Sequence, residues 1–324
     1  MTIFAWRASY AEAALIGLAM NNLFRTGVLI AALTALFMGA GWLIGGASGM
    51  LIALAIGAAT NLFAYWNADR LVLAAYGARP IARAEAPRLF DTVAELARRA
   101  GIPTPRLYLI ESAQPNAFAT GRDPRHAAVA VTRGLLGALD AAEVAAVIGH
   151  ELSHVVHRDT LTMTLAATIA GAIGMLANFA FFLGPRDDER DAPLGMLGAL
   201  LVAILAPVAA LLVQMAISRT REYEADRRGA EISGDPQSLA SALGKIEALA
   251  RRTMVPDAER NPATAHLFII NPLHSASLAG LFATHPATDE RVRRLEAMAA
   301  ARGIGGSGPW GAAPSRPWGT QRTA

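Results

Sequence analysis
The segment His150-Glu151-Leu152-Ser153-His154 gathers two imidazoles and a carboxylate within five residues. On a helix of 3.6 residues per turn, positions 150 and 154 point about 40° apart and one turn from each other, so both rings can grip one ion while Glu151 stands beside them. Zinc takes nitrogen and carboxylate donors in a tetrahedron, and a fourth position left to water makes such a site catalytic rather than structural. Glu151 is then placed to accept that water's proton. The chain has no cysteine, so thiol catalysis and disulfides are excluded.

The motif needs a helix, and the flanking residues supply one. Asp140 followed by Ala141-Ala142-Glu143 has the form of an N-cap with an acid at the third helical position, and Val144, Val147, Ile148, Leu152 and Val155 form an apolar stripe at helical spacing. A second acidic pair, Glu222 and Asp226, lies four residues apart and so on one helical face. Such a pair lets one carboxylate bind metal while the other holds a ligand histidine through its second ring nitrogen. A solvated acidic patch has the same spacing, so these residues alone leave both readings open.

Before the motif, Arg106-Leu107-Tyr108-Leu109-Ile110 and Ala127–Thr132 read as strands, with Asn116-Ala117-Phe118-Ala119-Thr120-Gly121 between them. A small sheet results, whose edge can hold an extended peptide by backbone pairing or serve as a plain structural hairpin. Helical patterns cover Ala86–Ala100, 238–252 and Thr288–Ala301, the last entered through Pro286.

With 53% hydrophobic and 17% charged residues, the chain is too apolar for an ordinary soluble enzyme. The 43 residues from Thr26 to Ala68 carry no charge, about 65 Å of helix against a hydrocarbon core of about 30 Å, which suffices for two spans. The cluster Gly45-Gly46-Ala47-Ser48-Gly49 is the natural break, giving spans near 27–46 and 50–67. Two more uncharged runs of 24 residues, Thr160–Leu183 and Leu194–Ile217, flank a polar turn and read as a second hairpin. Arginines cluster outside the two turns, at Arg7, Arg25, Arg70, Arg79, Arg83, Arg88, Arg158, Arg219, Arg221, Arg227 and Arg228, so the positive-inside rule sets both termini and the soluble part in the cytoplasm. The net charge of +3 then belongs to juxtamembrane arginines facing anionic lipid, and no nucleic-acid motif competes for them.

The expected architecture is a mainly α membrane protein with four transmembrane helices and a cytoplasmic, zincin-like α+β protease domain containing a small sheet. Its divisions are an N-terminal segment and hairpin (1–68), the first part of the protease domain with the metal helix (69–159), a second hairpin (160–217), the second part of the domain (218–300) and a disordered Gly/Pro/Trp tail (301–324).

Four stretches in this order resemble the HtpX-type membrane metallopeptidases, which are related to the CAAX-prenyl endopeptidases. They are Asn116–Gly121, His150–His154 with Arg158-Asp159, Ser218-Arg219-Thr220-Arg221-Glu222-Tyr223-Glu224-Ala225-Asp226, and Phe282-Ala283-Thr284-His285-Pro286 with Arg291. The resemblance covers roughly residues 20–300. It implies a zinc endopeptidase of the cytoplasmic membrane that degrades damaged or misassembled membrane proteins, binds one Zn2+ per chain and can cleave itself. It also implies that Glu222 is the third zinc ligand, Asp226 its supporting partner and Glu151 the base. Asn116, Ala117, Phe118 and Ala119 would lie on the substrate-binding edge, with His285 and Arg291 near the site, where either is a candidate to stabilise the oxyanion. His126, His266 and His274 have no spacing partner and read as surface or packing residues.

His157 is the rival third ligand, since it projects only about 20° from His150. Its backbone nevertheless stands about 10.5 Å farther along the axis, too far for one helix to close three donors around an ion at about 2.1 Å. Only a helix break after His154 would change that. Two other functions share the motif: a prenyl-protein processing protease, which implies more than four spans, and a non-catalytic membrane scaffold with structural zinc, which would be indifferent to loss of Glu151.

Overall fold
The computed structural model describes residues 2–164, 219–250, 268–270 and 286–302. Helix α1 (Thr2–Ala75) doubles back on itself. Asn61 Nδ2 donates to Thr34 Oγ1 at 2.9 Å and Ile30 packs on Ala64, whereas 27 residues of straight helix would hold the first pair about 40 Å apart. Both pairs centre on the expected glycine cluster, and Gly46 there has φ +58°, a left-handed conformation that glycine adopts without Cβ strain. Among the described residues, Gly46–Asn67 is long and apolar enough to cross a membrane, and only 17% of it is buried within the protein. A core helix of a soluble protein would be mostly buried, which this one is not. The expected spans beyond residue 164 and the tail beyond residue 302 lie outside the described residues.

The last turns of α1 pack against a four-stranded sheet. Strands β1 (Arg79–Pro80), β2 (Arg106–Ile110), β3 (Ala117–Thr120) and β4 (Ala128–Thr132) take the order β1-β2-β4-β3. β2 and β4 pair in parallel from Arg106↔Ala128 to Ile110↔Thr132, and β3 runs antiparallel to β4, from Ala117↔Val131 to Thr120↔Ala128. β1 is a two-residue edge pairing on β2 that has no periodic signal in the sequence.

Period-two alternation divides the sheet between two layers. Ile110, Phe118, Ala128 and Ala130 pack on Val72 and Leu73 of α1 and on Tyr76 in the turn that follows it. The opposite face, with Leu107, Leu109, Ala117, Ala119, Val129 and Val131, faces the main core. That core is closed by helices α2 (Pro87–Ala100), α3 (Arg133–Ala138), α4 (Ala141–Val156), α5 (Arg219–Ser233), α6 (Pro236–Ala250) and α7 (Thr288–Ala301). α4 begins as expected. Asp140 accepts from Glu143 N–H and the Glu143 carboxylate accepts from Asp140 N–H, a reciprocal capping box. Glu143 is held further by Ser241 and Lys245 of α6, which fixes the start of the motif helix against its neighbour.

Candidate metal centre
α4 runs through the core, so His150, Glu151 and His154 are all buried. What brings α5 to them is a crossing without side chains. A Cβ on Gly149 would stand 2.8 Å from Gly229 O, and a Cβ on Gly229 would stand 2.6 Å from both N and Cα of His150. Only glycine at both positions permits that approach. Glu222, two turns before Gly229 and thus on the same face of α5, is thereby delivered to the histidine pair.

Glu222 Oε2 lies 3.9 Å from His150 Nε2, and Glu222 Oε1 lies 3.7 Å from His154 Nε2. The imidazole rings stand edge to face with centroids 4.9 Å apart, and one donor atom from each of the three residues falls within 4.8 Å of the others. Around a tetrahedral ion at about 2.1 Å, donors sit about 3.4 Å apart, so this buried set fits zinc with a small contraction. His157 does not join it. It caps α4, with Nδ1 3.2 Å from Ser153 Oγ, and burial holds its pKa below the usual imidazole range.

Each metal histidine has its own carboxylate behind it. Asp226 Oδ1 lies 3.0 Å from His150 Nδ1, a short contact bent away from the ring N–H direction. Arg291, itself buried, grips Asp226 with two bonds of 2.7 Å from Nε and Nη2, and its Nη1 donates to Ile269 O at 3.0 Å. Burial alone would raise the Asp226 pKa, but the Arg291 guanidinium and His150 outweigh it and bring it down to about 2. On the other side, His154 Nδ1 lies 3.3 Å from Asp159 Oδ2, and Asp159 Oδ1 lies 3.4 Å from Arg221 Nη1. Burial acts to lower the His154 pKa, yet Asp159, Glu222 and Glu151 together lift it to about 9.

Glu151 faces the sheet. Its Oε2 accepts from Ala119 N–H at 2.9 Å. Burial pushes the carboxyl above the usual range, opposed by the two imidazoles and this backbone donor. Since Ala119 N–H points away from β4, the pairs Ala119↔Val129 and Ala117↔Val131 are the non-hydrogen-bonded ones of the ladder, and the backbone of Ala117 and Ala119 faces the site. Phe118 turns its ring to the other layer, against Tyr76. Asn116 sits just before the strand with its side chain engaged inward, where Oδ1 accepts from Ile269 N–H at 3.1 Å. Ile269 therefore bridges Asn116 and Arg291. His285, His266 and His274 lie outside the described residues, and His126 is an exposed residue paired with Asp123.

The glycine crossing and the Asp159–Arg221 pair escape reading from the sequence, the first because 80 positions separate Gly149 from Gly229 and the second because an insertion divides its members. The crystal structure of S. mikatae Ste24p is similar to this chain at 18% identity and a TM-score of 0.45, covering 87% of this chain and 67% of that one. Residues 83–299 match the model described as Peptidase family M48, a stretch that holds both the histidine helix and the helix that presents Glu222. The chain belongs to peptidase family M48 and is a zinc metalloendopeptidase by that membership, and its buried His150, His154 and Glu222 form a group compatible with a single zinc site.

Proposed function
We propose that this metallopeptidase is a multi-pass membrane endopeptidase that hydrolyses peptide bonds of misfolded or damaged membrane proteins, with Glu151 as general base. The observation that carries the catalytic reading is the 2.9 Å bond from Ala119 N–H to Glu151 Oε2, which sets the base against a strand edge beside the metal donors. A peptide laid along β3 would pair with the outward backbone of Ala117 and with the carbonyl of Ala119, whose N–H is held by Glu151, and so bring its scissile carbonyl to Glu151. His150, His154 and Glu222 would hold the zinc, which when bound would supply a water of lowered pKa and polarise the scissile carbonyl. Glu151 takes the proton from the attacking water and returns it to the leaving amine. Its burial, which raises its proton affinity, suits that role.

Arg291 belongs to positioning in this reading. Its hydrogen bonds go to Asp226 and Ile269 O, and its Nη1 lies 3.9 Å from Glu222 Oε2, so it steers His150 and Glu222 from behind. The membrane assignment is supported by the lipid-suited helix Gly46–Asn67 and by the arginines on the non-turn side of the uncharged runs. Four spans, a cytoplasmic protease domain and both termini in the cytoplasm follow from that pattern, with the inner membrane as the location and self-cleavage as a side reaction. A periplasmic reporter fused near Arg190 would be exported and one after Ala324 would not; the reverse pattern defeats the topology.

Glu151→Gln tests the function directly. The amide cannot act as a base while both histidines remain, so detergent-purified variant protein should keep its zinc and lose at least about 10²-fold in peptide hydrolysis. Hydrolysis by wild type should also stop with a chelator. Equal turnover by wild type and variant would remove the enzyme and leave a scaffold with structural zinc.

A further inference from the structure
We infer that Asp159 and Arg221 form a positioning pair that orients His154 for the metal and ties together the two halves of the protease domain at the zinc site. The inference builds on the zinc centre described above and concerns residues that are not ligands.

The backbone is the first observation. Five residues after His154, an uninterrupted helix would carry position 159 about 140° around the axis and about 7.5 Å along it, out of reach of the imidazole. α4 instead ends at the C-cap His157, and Arg158 follows with φ +57°, the one positive-φ residue other than glycine among the described residues. A left-handed arginine is a strained choice, and strain of this kind persists where surrounding contacts demand it. The kink returns Asp159 toward the helix it has just left. Asp159 Oδ2 then stands 3.3 Å from His154 Nδ1, leaving Nε2 to face Glu222.

The second observation is where the partner comes from. Asp159 is the last residue before the uncharged run that starts at Thr160, and Arg221 follows that hairpin segment and directly precedes the ligand Glu222. Their 3.4 Å contact joins both ends of the inserted segment, with both side chains largely buried. One face of the metal site is thus held as His150–Asp226–Arg291 and the other as His154–Asp159–Arg221. A carboxylate on the far ring nitrogen of a ligand histidine fixes its tautomer and raises its basicity. A guanidinium beyond it aims that carboxylate.

The test is zinc binding by the full-length, detergent-purified chain, measured by competition with a chromogenic chelator and by the visible spectrum of the cobalt-loaded protein. Asp159→Asn, nearly isosteric, should weaken zinc about 10–100-fold and shift the cobalt bands, and Asp159→Ala should do the same. Arg221→Gln should act in the same direction with a smaller effect. Glu143→Gln removes an equally buried carboxylate from the far end of α4, so it controls for general loosening of the helix and should leave zinc affinity unchanged. If Asp159→Asn and Arg221→Gln both bind zinc within twofold of wild type, or if Glu143→Gln loses as much as Asp159→Asn, the pair does not position the ligand. Wild-type protein that holds no zinc would overturn the metal centre and this proposal together.

Discussion
Gly229 meets His150 with no side chain between them: a Cβ at Gly229 would stand 2.6 Å from both N and Cα of His150. The contact lets α5 lie directly on the motif helix, so that a carboxylate two turns earlier on α5 reaches the histidines. Shape at the crossing, rather than charge, therefore decides whether Glu222 reaches the two imidazoles.

Gly229→Ala should accordingly damage the metal site without touching a donor. The added methyl would meet backbone atoms of α4 that cannot rotate away, so α5 must shift, at about 1–3 kcal/mol for an overpacked core. The expected outcome is a lower melting temperature together with reduced zinc stoichiometry on purification. Unchanged stability and full zinc content would show that the helices do not cross this closely.

Much of this centre was legible in the sequence. The motif, its capping box and the Glu222/Asp226 pair rest on spacing along single helices, and β2, β4 and the edge segment rest on local alternation. The reversal of α1 was marked by its glycines. Asn116 shows where such reading stops. Its sequence position gives a place beside the edge strand, but not that its side-chain oxygen accepts from Ile269, a residue 153 positions away that no local pattern connects to it. Arg158 is a second case, because a left-handed arginine is imposed by what Asp159 must touch and not by its own propensity.

Glu222→Ala and His157→Ala should separate the two candidates for third ligand. Glu222 stands 3.7 and 3.9 Å from the two imidazoles, whereas His157 faces Ser153. Loss of Glu222 should release zinc, and loss of His157 should retain it along with much of the activity. Metal content of the two purified variants decides, and the opposite pattern defeats the assignment.

His154 gives the metal-free protein a pH signature. Its folded pKa of about 9 lies above the ordinary value of 6.5, so its protonated form contributes stability fully below about pH 6.5 and loses that contribution as pH rises through about 9. Zinc requires the neutral ring, so binding must displace this proton throughout that window. Apparent zinc affinity should rise by about tenfold per pH unit from this residue between pH 7 and 9, while the metal-free protein becomes less stable over the same range. Titrations with a pH-independent competitor would check the first, and melting of chelator-treated protein the second. An affinity flat over this range would mean that His154 is already neutral without metal.

The strand edge can be tested by removing its donors. At Ala117 and Ala119 the backbone faces away from β4, so proline at either position leaves the bonds of the β3–β4 ladder in place. Proline carries no N–H, so Ala117→Pro takes one donor from any peptide paired along this edge, whereas the donor lost in Ala119→Pro is the one that Glu151 holds. A backbone hydrogen bond contributes about 0.5–1.5 kcal/mol net, so affinity for an inhibitory peptide should fall by up to roughly tenfold in Ala117→Pro while zinc content stays the same. Ala119→Pro deprives Glu151 of its 2.9 Å partner, so it should lower turnover as well as disturb the edge, whereas Ala117→Pro should act on binding alone. Unchanged peptide affinity in both variants would mean that substrate lies along another surface.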